Sequence, residues 1–203
     1  MGIVERRERE REKVRRKILD TARDLFAREG YDRVTMRAIA EGIEYSPTTI
    51  YNHFEDKEDL VEALCQEDFA RLFSALTAGS IPKDPIERIR QMGRAYARFA
   101  LDLPNHYRFM FMTAKMPDHE IKPDMPGWRS FELLLDACRE AVAQGKLGGD
   151  SPEAIAQVMW ASLHGATALL VTYRPDQFPC VPAAPDLIEK TCENALRGWL
   201  VRN

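Results

Sequence analysis

A run of polar side chains at positions 48 to 53 is unusual for an exposed helix, whose surface more often carries lysine and glutamate. Ile50 and Phe54 lie four residues apart, so on a helix they would face the core together. The remaining side chains would then point outward: Thr48, Thr49, Tyr51, Asn52 and His53. Hydroxyl and amide groups can bind base edges and phosphates in the DNA major groove, and threonine methyls can contact the thymine methyl. The run therefore predicts a surface that reads DNA.

Three further residues could hold DNA phosphates near this run. Thr35 and Arg37 stand at the start of a preceding helix, whose N-terminal amides and positive dipole end attract an anion. Lys57 opens the following helix and could act by its charge alone. Such contacts fix the register of a protein on DNA without reading the sequence. The spacing also allows a simpler interpretation, in which the polar face is only exposed to solvent.

Two short helices must position these residues. Thr35 is a suitable N-cap for a helix over 36–43, because its side chain can accept a hydrogen bond from the first turn. Ser46 followed by Pro47 is a favoured start for a second helix over 47–53. The pattern predicts two short helices joined by a tight turn.

Two long helices should cover the apolar faces of this short pair. The apolar spacing predicts one over 8–29, where Gly30 supplies the stop, and another over 57–78, where Asp56 supplies the cap. The second half of the chain then predicts five more helices, at 86–101, 105–113, 127–144, 152–173 and 186–201. No strand pattern occurs. We therefore expect an all-α protein of about nine helices, with a three-helix helix-turn-helix domain followed by a helical bundle.

Composition argues against several classes of protein. No apolar run reaches the roughly 20 residues that span a bilayer, and the charged N-terminus lacks the apolar stretch of a signal peptide. We therefore expect a cytoplasmic protein with no membrane partner. The cysteines at positions 65, 138, 180 and 192 form no CxxC pair, and they predict buried free thiols in place of a metal site or disulfide.

Catalysis is equally unsupported by the residues. The histidines at positions 53, 106, 119 and 164 belong to no HExxH motif, and the sequence has no GxSxG motif or glycine-rich phosphate loop. We expect no catalytic residue, no metal ion and no cofactor, and hence a protein that is not an enzyme.

Charge is distributed unevenly along the chain. The formal net charge of −3 argues weakly against binding to nucleic acid. Between Arg6 and Lys17, however, eight arginine or lysine residues stand against three glutamates. Local positive charge of this kind is typical of a DNA-binding surface. The extension at 1–13 is predicted either as a solvated helix with Glu–Arg pairs, which we favour, or as an arm toward the DNA backbone.

Nearly 50 residues of the N-terminal part resemble the TetR (TetR/AcrR) family of transcriptional regulators in order and spacing. The matching stretches are 18–31 (ILDTARDLFAREGY), 34–40 (VTMRAIA), 46–54 (SPTTIYNHF) and 56–60 (DKEDL). The resemblance implies a homodimer that binds a DNA operator with one recognition helix per subunit. Carried over position by position, it gives these DNA contacts: Thr35, Arg37, Ser46, Thr48, Thr49, Tyr51, Asn52, His53 and Lys57.

The same resemblance implies a division into a DNA-binding domain at 1–58 and a C-terminal ligand-binding and dimerisation domain at 59–203. One departure from the family is the pair Glu41-Gly42. A glycine inside a short helix should cost about 1 kcal/mol relative to alanine, which should not abolish the motif.

The second half resembles the C-terminal domains of one TetR subclass, which carries a Trp-His-Gly element. The segments are 101–111 (LDLPNHYRFMF) and 160–165 (WASLHG). The resemblance implies a pocket for a small molecule, and abundant methionine and aromatic residues suit an adaptable apolar cavity. The alternative for Trp160 and His164 is an indole packed beside a hydrogen-bonded imidazole. The candidate pocket residues are Tyr96, Phe99, Tyr107, Met110, Phe111, Trp128, Phe131, Met159, Trp160, Leu163 and His164.

The last two predicted helices have broad apolar faces that could pair across a two-fold axis as a four-helix interface. In the family that the chain resembles, this pairing forms the dimer. The candidate interface residues are Ile155, Met159, Ser162, Ala166, Leu170, Leu187, Ile188, Thr191, Ala195 and Trp199.

Together these inferences predict a ligand-responsive repressor that binds a palindromic operator as a homodimer and is released by a small, largely apolar ligand. The two recognition helices would enter successive major grooves about 34–36 Å apart. Two alternatives stay open at this point. The protein could activate transcription, or it could be a helical ligand-binding protein or enzyme whose head does not bind DNA.

Overall fold

The computed structural model describes residues 2–113, 125–173, 177 and 183–201, which contain nine α-helices and no β-strand. The predicted all-α architecture is therefore confirmed over this part of the chain. A single π-helical turn, Phe109–Thr113, follows the sixth helix. Cys180 and His119 lie outside the described residues. The helices are α1 (Ile3–Glu29), α2 (Met36–Gly42), α3 (Pro47–Tyr51), α4 (Lys57–Leu76), α5 (Pro85–Asp102), α6 (Pro104–Arg108), α7 (Pro126–Ala143), α8 (Pro152–Thr172) and α9 (Ala184–Arg197).

Helix boundaries follow the capping residues that the sequence indicates. The Thr35 hydroxyl accepts a hydrogen bond from the Ala38 amide at 3.1 Å, and the Ser46 hydroxyl accepts one from the Thr49 amide at 3.3 Å. Gly30 ends α1 with a φ of 85°, a conformation that favours glycine. These local signals place α2 and α3 between the two long helices, as predicted.

The first helix begins at Ile3, earlier than the predicted start at position 8. Local bonds support the added turns: the Gly2 amide donates to Glu5 Oε2 at 3.0 Å, Arg9 Nε donates to the Glu5 backbone carbonyl at 3.3 Å, and further along the helix Lys13 Nζ lies 2.9 Å from Glu10 Oε1. Pairs at this spacing favour a helix even where it covers no core. The charged extension is therefore helical, and its residues from Val4 to Lys13 are exposed; this conformation agrees with the predicted helix and is equally compatible with contact to DNA.

The chain divides into two compact units. The head unit comprises residues 2–68 and 105–113, and the body unit comprises the described residues of 69–104 and 125–201. α4 contributes residues to both units. The compact head extends along α4 beyond residue 58, where we predict the division between DNA binding and ligand binding to lie.

The head unit has an apolar core that α1 shares with the short helices and with the start of α4. The ring of Phe26 on α1 stacks on the ring of Phe109, with 5.7 Å between centroids, so the π-helical turn packs against this helix. The buried core residues of the head include Ile18, Leu19, Ala22, Phe26, Val34, Ile39, Ala40, Ile50, Phe54, Leu60, Leu64, Tyr107 and Phe109.

One buried ion pair joins α1 to α4 inside the head unit. Arg23 Nε lies 3.1 and 2.9 Å from the two carboxylate oxygens of Asp68, and Arg23 Nη2 lies 2.9 Å from Asp68 Oδ1. Asp20, one turn earlier on α1, accepts from Arg23 Nη1 at 2.7 Å. Arg23 is 2% exposed and Asp68 is 0% exposed. Burial alone would lower the pKa of the guanidinium, but its bonds to Asp68 and Asp20 raise that pKa overall, so the arginine stays charged.

The body unit packs α5, α7, α8 and α9 around a second apolar core. Ion pairs at its surface join the helices: Arg90 Nε lies 2.6 Å from Glu193 Oε1, which ties α5 to α9. Gly93 permits close packing at the same place, because a Cβ there would lie 2.7 Å from the Cys192 sulfur. The core residues of the body include Ile86, Ile89, Met92, Leu135, Cys138, Leu147, Ile155, Ala156, Met159 and Leu196.

The three cysteines of the described segments are free thiols. Burial raises the pKa of the Cys65 and Cys138 thiols to about 12, and that of Cys192 to about 11. A thiol with so high a pKa carries no thiolate near neutral pH, and the thiolate is the form that binds metals and reacts. Cys138 is buried, as predicted, whereas Cys65 and Cys192 are only half-buried.

One described helix is long and apolar enough to cross a membrane by length and composition alone. In α8, the most apolar 18-residue window has a mean hydropathy of 1.4, a property that our sequence-based expectation did not anticipate. Residues within the protomer bury 39% of that window. A core helix passes the same test, so the finding is weak support for a membrane segment.

We predict that Asp68→Asn will destabilise the protein by about 3–5 kcal/mol, because it leaves the Arg23 charge buried without a full counter-charge. The matched control is Asp20→Asn, which removes the exposed carboxylate that pairs with the same guanidinium. This change should lower the free energy of unfolding by less than about 1 kcal/mol. Urea unfolding of the three chains measures the difference. Equal losses from the two variants would contradict the structural role assigned to the buried pair.

Candidate nucleic-acid interface

The turn between α2 and α3 sets the angle at which the polar run is presented. The Tyr45 amide donates to the Ala40 carbonyl at 3.0 Å, and the Glu44 amide donates to the Glu41 carbonyl at 3.1 Å, which closes the turn. Glu44 has a φ of 61°, and it is the only non-glycine residue with positive φ in the described segments. An L-residue held in this region stores about 1 kcal/mol or more of strain. The turn is therefore tight at the cost of a strained residue.

Gly42 has a packing role that its place in the sequence did not reveal. A Cβ at this position would lie 2.8 Å from the Cγ2 methyl of Thr21 on α1, which is closer than real Cβ contacts. An alanine would gain helix propensity but would force α1 and α2 apart. Close packing of the two helices therefore offsets the expected cost of a glycine in α2.

The outward face of α3 lies where the sequence places it. Ile50 and Phe54 are buried beneath the helix, which confirms that they face the core. Thr48, Tyr51 and Asn52 are exposed, and at spacings of three and four residues they share one side of the helix. The Tyr51 side chain is 55% exposed, although its ring is largely apolar. These three side chains form a surface that a DNA groove could accept, and we call it the reading face.

Thr49, Ser46 and His53 lie at the edges of the reading face. The Ser46 and Thr49 hydroxyls lie 3.1 Å apart, so each already has a hydrogen-bonding partner within the helix cap. Burial lowers the pKa of His53, and the positive charges of Arg11 and Arg15 lower it further. A neutral imidazole both donates and accepts hydrogen bonds, which suits contact with a base edge.

The predicted phosphate anchors at the start of α2 are exposed. Thr35 uses its side-chain oxygen to cap the helix. The Arg37 side chain is 81% exposed, and its Nε lies 3.0 Å from Oε1 of Glu41 one turn later. Exposed pairs of this kind contribute little stability, so Arg37 can exchange Glu41 for a phosphate at small cost.

Lys57 opens α4, as predicted, but its side chain already has partners within the head unit. Its Nζ donates to the Tyr31 carbonyl at 2.5 Å and lies 3.9 Å from the centre of the Tyr31 ring. Burial lowers the pKa of this half-buried ammonium. The Tyr31 hydroxyl in turn donates to Glu58 at 2.9 Å. Lys57 is therefore placed to hold the start of α4 against the end of α1, and this placement conflicts with its predicted role as a phosphate anchor.

The sequence-based prediction omitted cationic groups that α1 brings to the same surface. The guanidinium of Arg15 lies 5.3 Å from the Phe54 ring centre, and Lys17 Nζ lies 5.9 Å from the ring centre of Tyr45. Tyr45 is itself exposed and directly precedes the cap of α3. The signal available in the sequence was the charge cluster before Ile18, but only the fold shows which of its members approach α3.

Five of the candidate ligand residues form a continuous cluster in the body unit. Ring centroids lie 5.9 Å apart for Trp128 and Phe131, 6.1 Å for Phe131 and Trp160, and 5.6 Å for Trp160 and His164. The Tyr96 hydroxyl lies 2.9 Å from His164 Nδ1, and burial lowers the pKa of that imidazole. We call these residues the aromatic cluster. Its geometry includes the packed indole and hydrogen-bonded imidazole that the sequence left as an alternative.

The remaining ligand candidates divide between the two units. Phe99 and Met159 are buried in the body, where Leu163 is half-buried. Tyr107, Met110 and Phe111 belong to the head unit, and the Tyr107 and Phe111 rings lie 5.1 Å apart. Tyr107 and Met110 are buried there, so these side chains pack in the head core. Apolar character alone could not assign them to a unit.

The candidate dimer residues differ in how much of their surface is exposed within one protomer. Ile155, Met159 and Ile188 have almost no exposed surface within one protomer, so they have almost none to offer a second protomer. Among the other candidates, Ser162 is exposed, and the rest are half-buried: Ala166, Leu170, Leu187, Thr191, Ala195 and Trp199. The exposed side of α8 also carries Val158 and Leu169, which the sequence places on the apolar face of this helix, and Ala161, which the sequence-based prediction omitted.

The fold and the reading face define a helix-turn-helix regulator of the kind that carries its DNA-binding head on a helical body. Residues 18–64 match the family described as "Bacterial regulatory proteins, tetR family", and residues 89–188 match "Tetracyclin repressor-like, C-terminal domain". The HTH-type transcriptional repressor AcnR of Corynebacterium efficiens is 39% identical over 146 residues, which cover 68% of this chain and 71% of that protein. The chain belongs to the TetR family of bacterial regulatory proteins, although it spans only 31% to 41% of the length of the first three curated relatives that it matches.

Other relatives match over shorter or more distant alignments. An HTH-type transcriptional repressor of Mycobacterium tuberculosis is 47% identical over 58 residues, which cover 29% of this chain and only 31% of that protein. A putative TetR-family regulator from Shewanella sp. PV-4 has a TM-score of 0.73 at 19% identity, covering 93% of this chain and 98% of that one. A protein of unknown function from Rhodococcus sp. RHA1 has a TM-score of 0.74 at 24% identity, covering 92% and 95%. These structures share the fold.

We predict that Glu44→Gly will stabilise the head by about 1 kcal/mol, because glycine adopts a positive φ without strain. The matched control is Glu62→Gly, at an exposed site inside α4, which should destabilise the protein by about 1 kcal/mol because the helical backbone there gains nothing from glycine. Thermal unfolding of both variants compares them. A loss of stability in both would contradict the strained conformation of the turn.

Proposed function

We propose that the chain is a transcriptional repressor that binds a palindromic operator as a homodimer and is released by a small, largely apolar ligand. The reading face carries the DNA-binding part of this proposal, because Thr48, Tyr51 and Asn52 present hydroxyl and amide groups on a rigid base of buried Ile50 and Phe54. Relatives named as repressors favour repression over activation. DNA as the partner also favours the cytoplasm as the location of the protein.

The exposed side of α8 supports the homodimer. Val158 is 46% exposed and Leu169 is 50% exposed, and Ala161 and Gly165 lie between them on the same side of the helix. Nothing lies within 4 Å of a Cβ built at Gly165, so a second helix could approach the backbone closely there. A contiguous apolar face of this kind is typical of a protein–protein interface. With α9 beside it, α8 would form half of a four-helix interface.

The aromatic cluster of the body supports an apolar ligand with one polar group. Its rings offer apolar contact, and the Tyr96–His164 hydrogen bond offers a polar pair that a ligand could join or replace. α4 contributes residues to both units, so we propose that it transmits ligand binding to the head. The ligand must bind the DNA-free state more tightly, by a factor that corresponds to a few kcal/mol.

We predict that Tyr51→Ala will weaken binding to the operator at least tenfold, since one lost base-edge contact costs about 1–3 kcal/mol. The probe is the duplex that the unaltered chain enriches from random DNA. The matched control is Ile81→Ala, which removes an exposed apolar side chain in the body unit, outside the proposed dimer face, and should leave affinity unchanged. Fluorescence anisotropy measures both. Equal affinities for the two variants would refute the reading face.

We predict that Ala161→Arg will convert the dimer to monomers, because it places a charge on the apolar side of α8. The matched control is Ala143→Arg, the same change at an exposed position at the end of α7, which should leave the dimer intact. Sedimentation velocity distinguishes the protomer mass of 23.3 kDa from twice that value. A dimeric Ala161→Arg variant would show that subunits associate through a different surface.

A further inference from the structure

Three arginines on the charged start of α1 form a line that leads to the recognition segment. Arg7, Arg11 and Arg15 lie at successive spacings of four residues, so they share one side of the helix. The same side continues into Ile18 and Ala22, which are fully buried in the head core. The three arginines, which we call the arginine stripe, therefore extend the core-facing side of α1 and not the side that points away from the head.

Contacts near its inner end place the arginine stripe beside Phe54 and His53, at the edge of the reading face. The Arg15 guanidinium lies over the Phe54 ring at 5.3 Å from its centre. Arg11 and Arg15 both act electrostatically on His53, lowering its pKa after the larger effect of burial, and Glu12 opposes them. Phe54 and His53 close the polar run that begins at Thr48. The positive charge therefore adjoins the surface that would read DNA.

The other side of the same helix has internal charge partners. Lys13 pairs with Glu10 at 2.9 Å, and the charges of Arg6 and Arg9 also lower the pKa of the Glu10 carboxyl. Arg9 donates to the Glu5 carbonyl in addition. Arg7 and Arg11 are exposed, and Arg15 is half-buried. Glu8 and Glu12 flank the arginine stripe at helical spacing, so acidic groups lie on both sides of the helix, but only the stripe approaches the recognition segment, through Arg15.

The start of α1 differs in net charge from the rest of the chain. Residues 2–17 carry eight arginine or lysine residues and four glutamates, a net charge of +4. The whole chain carries −3, so the remaining residues carry −7. A polyanion approaching this protein would meet favourable potential at the start of α1 and repulsion over most of the rest.

We propose that the arginine stripe binds the DNA phosphate backbone beside the half-site that the reading face contacts, and so lengthens the DNA site of each head. Successive arginines advance about 6 Å along the helix axis, so the three can engage separate phosphates. This role supplies affinity without sequence information. It rests on the proposed function for its specific target, although phosphate binding itself can be tested on any duplex.

The test compares two double variants that remove the same charge from opposite sides of one helix. Arg7→Gln/Arg11→Gln disrupts the stripe, and Arg6→Gln/Arg9→Gln is the control. Glutamine and arginine have similar helix propensities, so α1 is retained in both. The full-length chains are titrated at several salt concentrations with the duplex enriched from random DNA and with a random-sequence duplex of equal length.

We expect the stripe variant to bind both duplexes at least tenfold more weakly near 0.15 M salt. Its salt dependence, the slope of log affinity against log salt, should fall by about 3 to 4 for a dimer, at about 0.9 for each lost phosphate contact. The control variant should change the slope by less than about 1. Equal effects of the two variants, or none from either, would overturn the proposal.

Failure of the proposed function gives a different result. If the unaltered chain enriches no sequence, the operator proposal is wrong, while the random-sequence duplex still decides whether the arginine stripe binds phosphate. A measurement without DNA tests the geometry: Arg11→Gln should raise the pKa of His53 in an NMR titration, and Arg9→Gln should leave it unchanged. An unchanged His53 pKa in Arg11→Gln would show that the stripe does not adjoin the reading face.

Discussion

The head unit depends on the buried ion pair between Arg23 and Asp68, because this pair fixes α1 against α4. A guanidinium that binds both carboxylate oxygens restricts the arrangement of the two helices, and separating the buried partners would leave an uncompensated charge. Such a pair adds little net stability compared with apolar packing, but it defines geometry. α1 supplies the core beneath the reading face and carries the arginine stripe, whereas α4 continues into the body unit. These two helices therefore position each functional surface of the head.

In the proposed function, different side chains read the DNA sequence and retain the DNA. The reading face has almost no charge, and its hydroxyl and amide groups would discriminate through geometry. The positive charge lies beside it on α1, in a chain that is otherwise acidic. This separation lets charge set affinity and salt dependence while a few polar groups set sequence preference. The acidic remainder should disfavour binding in other orientations.

Local signals explain why the helices could be predicted from the sequence. Gly30, Ser46-Pro47 and the apolar spacing of Ile50 and Phe54 act within a few residues, and each has the predicted place in the structure. Contacts between residues that are distant in sequence could not be predicted in this way. The partner of Arg23 lies 45 residues away, and Lys57 turns inward because Tyr31 offers a carbonyl and a ring. α8 is apolar on more than one side, so periodicity could not show that Ile155 faces the core while Val158 faces outward.

The central claim is that two identical heads read DNA together, and the symmetry of the selected DNA tests it most directly. Bound duplexes are selected repeatedly from a random pool and then sequenced. The sequences that become enriched show whether the DNA site is symmetric. The account predicts an inverted repeat whose half-site centres lie about 10 base pairs apart, or a multiple of that spacing. Enrichment of a single asymmetric site, or no enrichment at all, would contradict it.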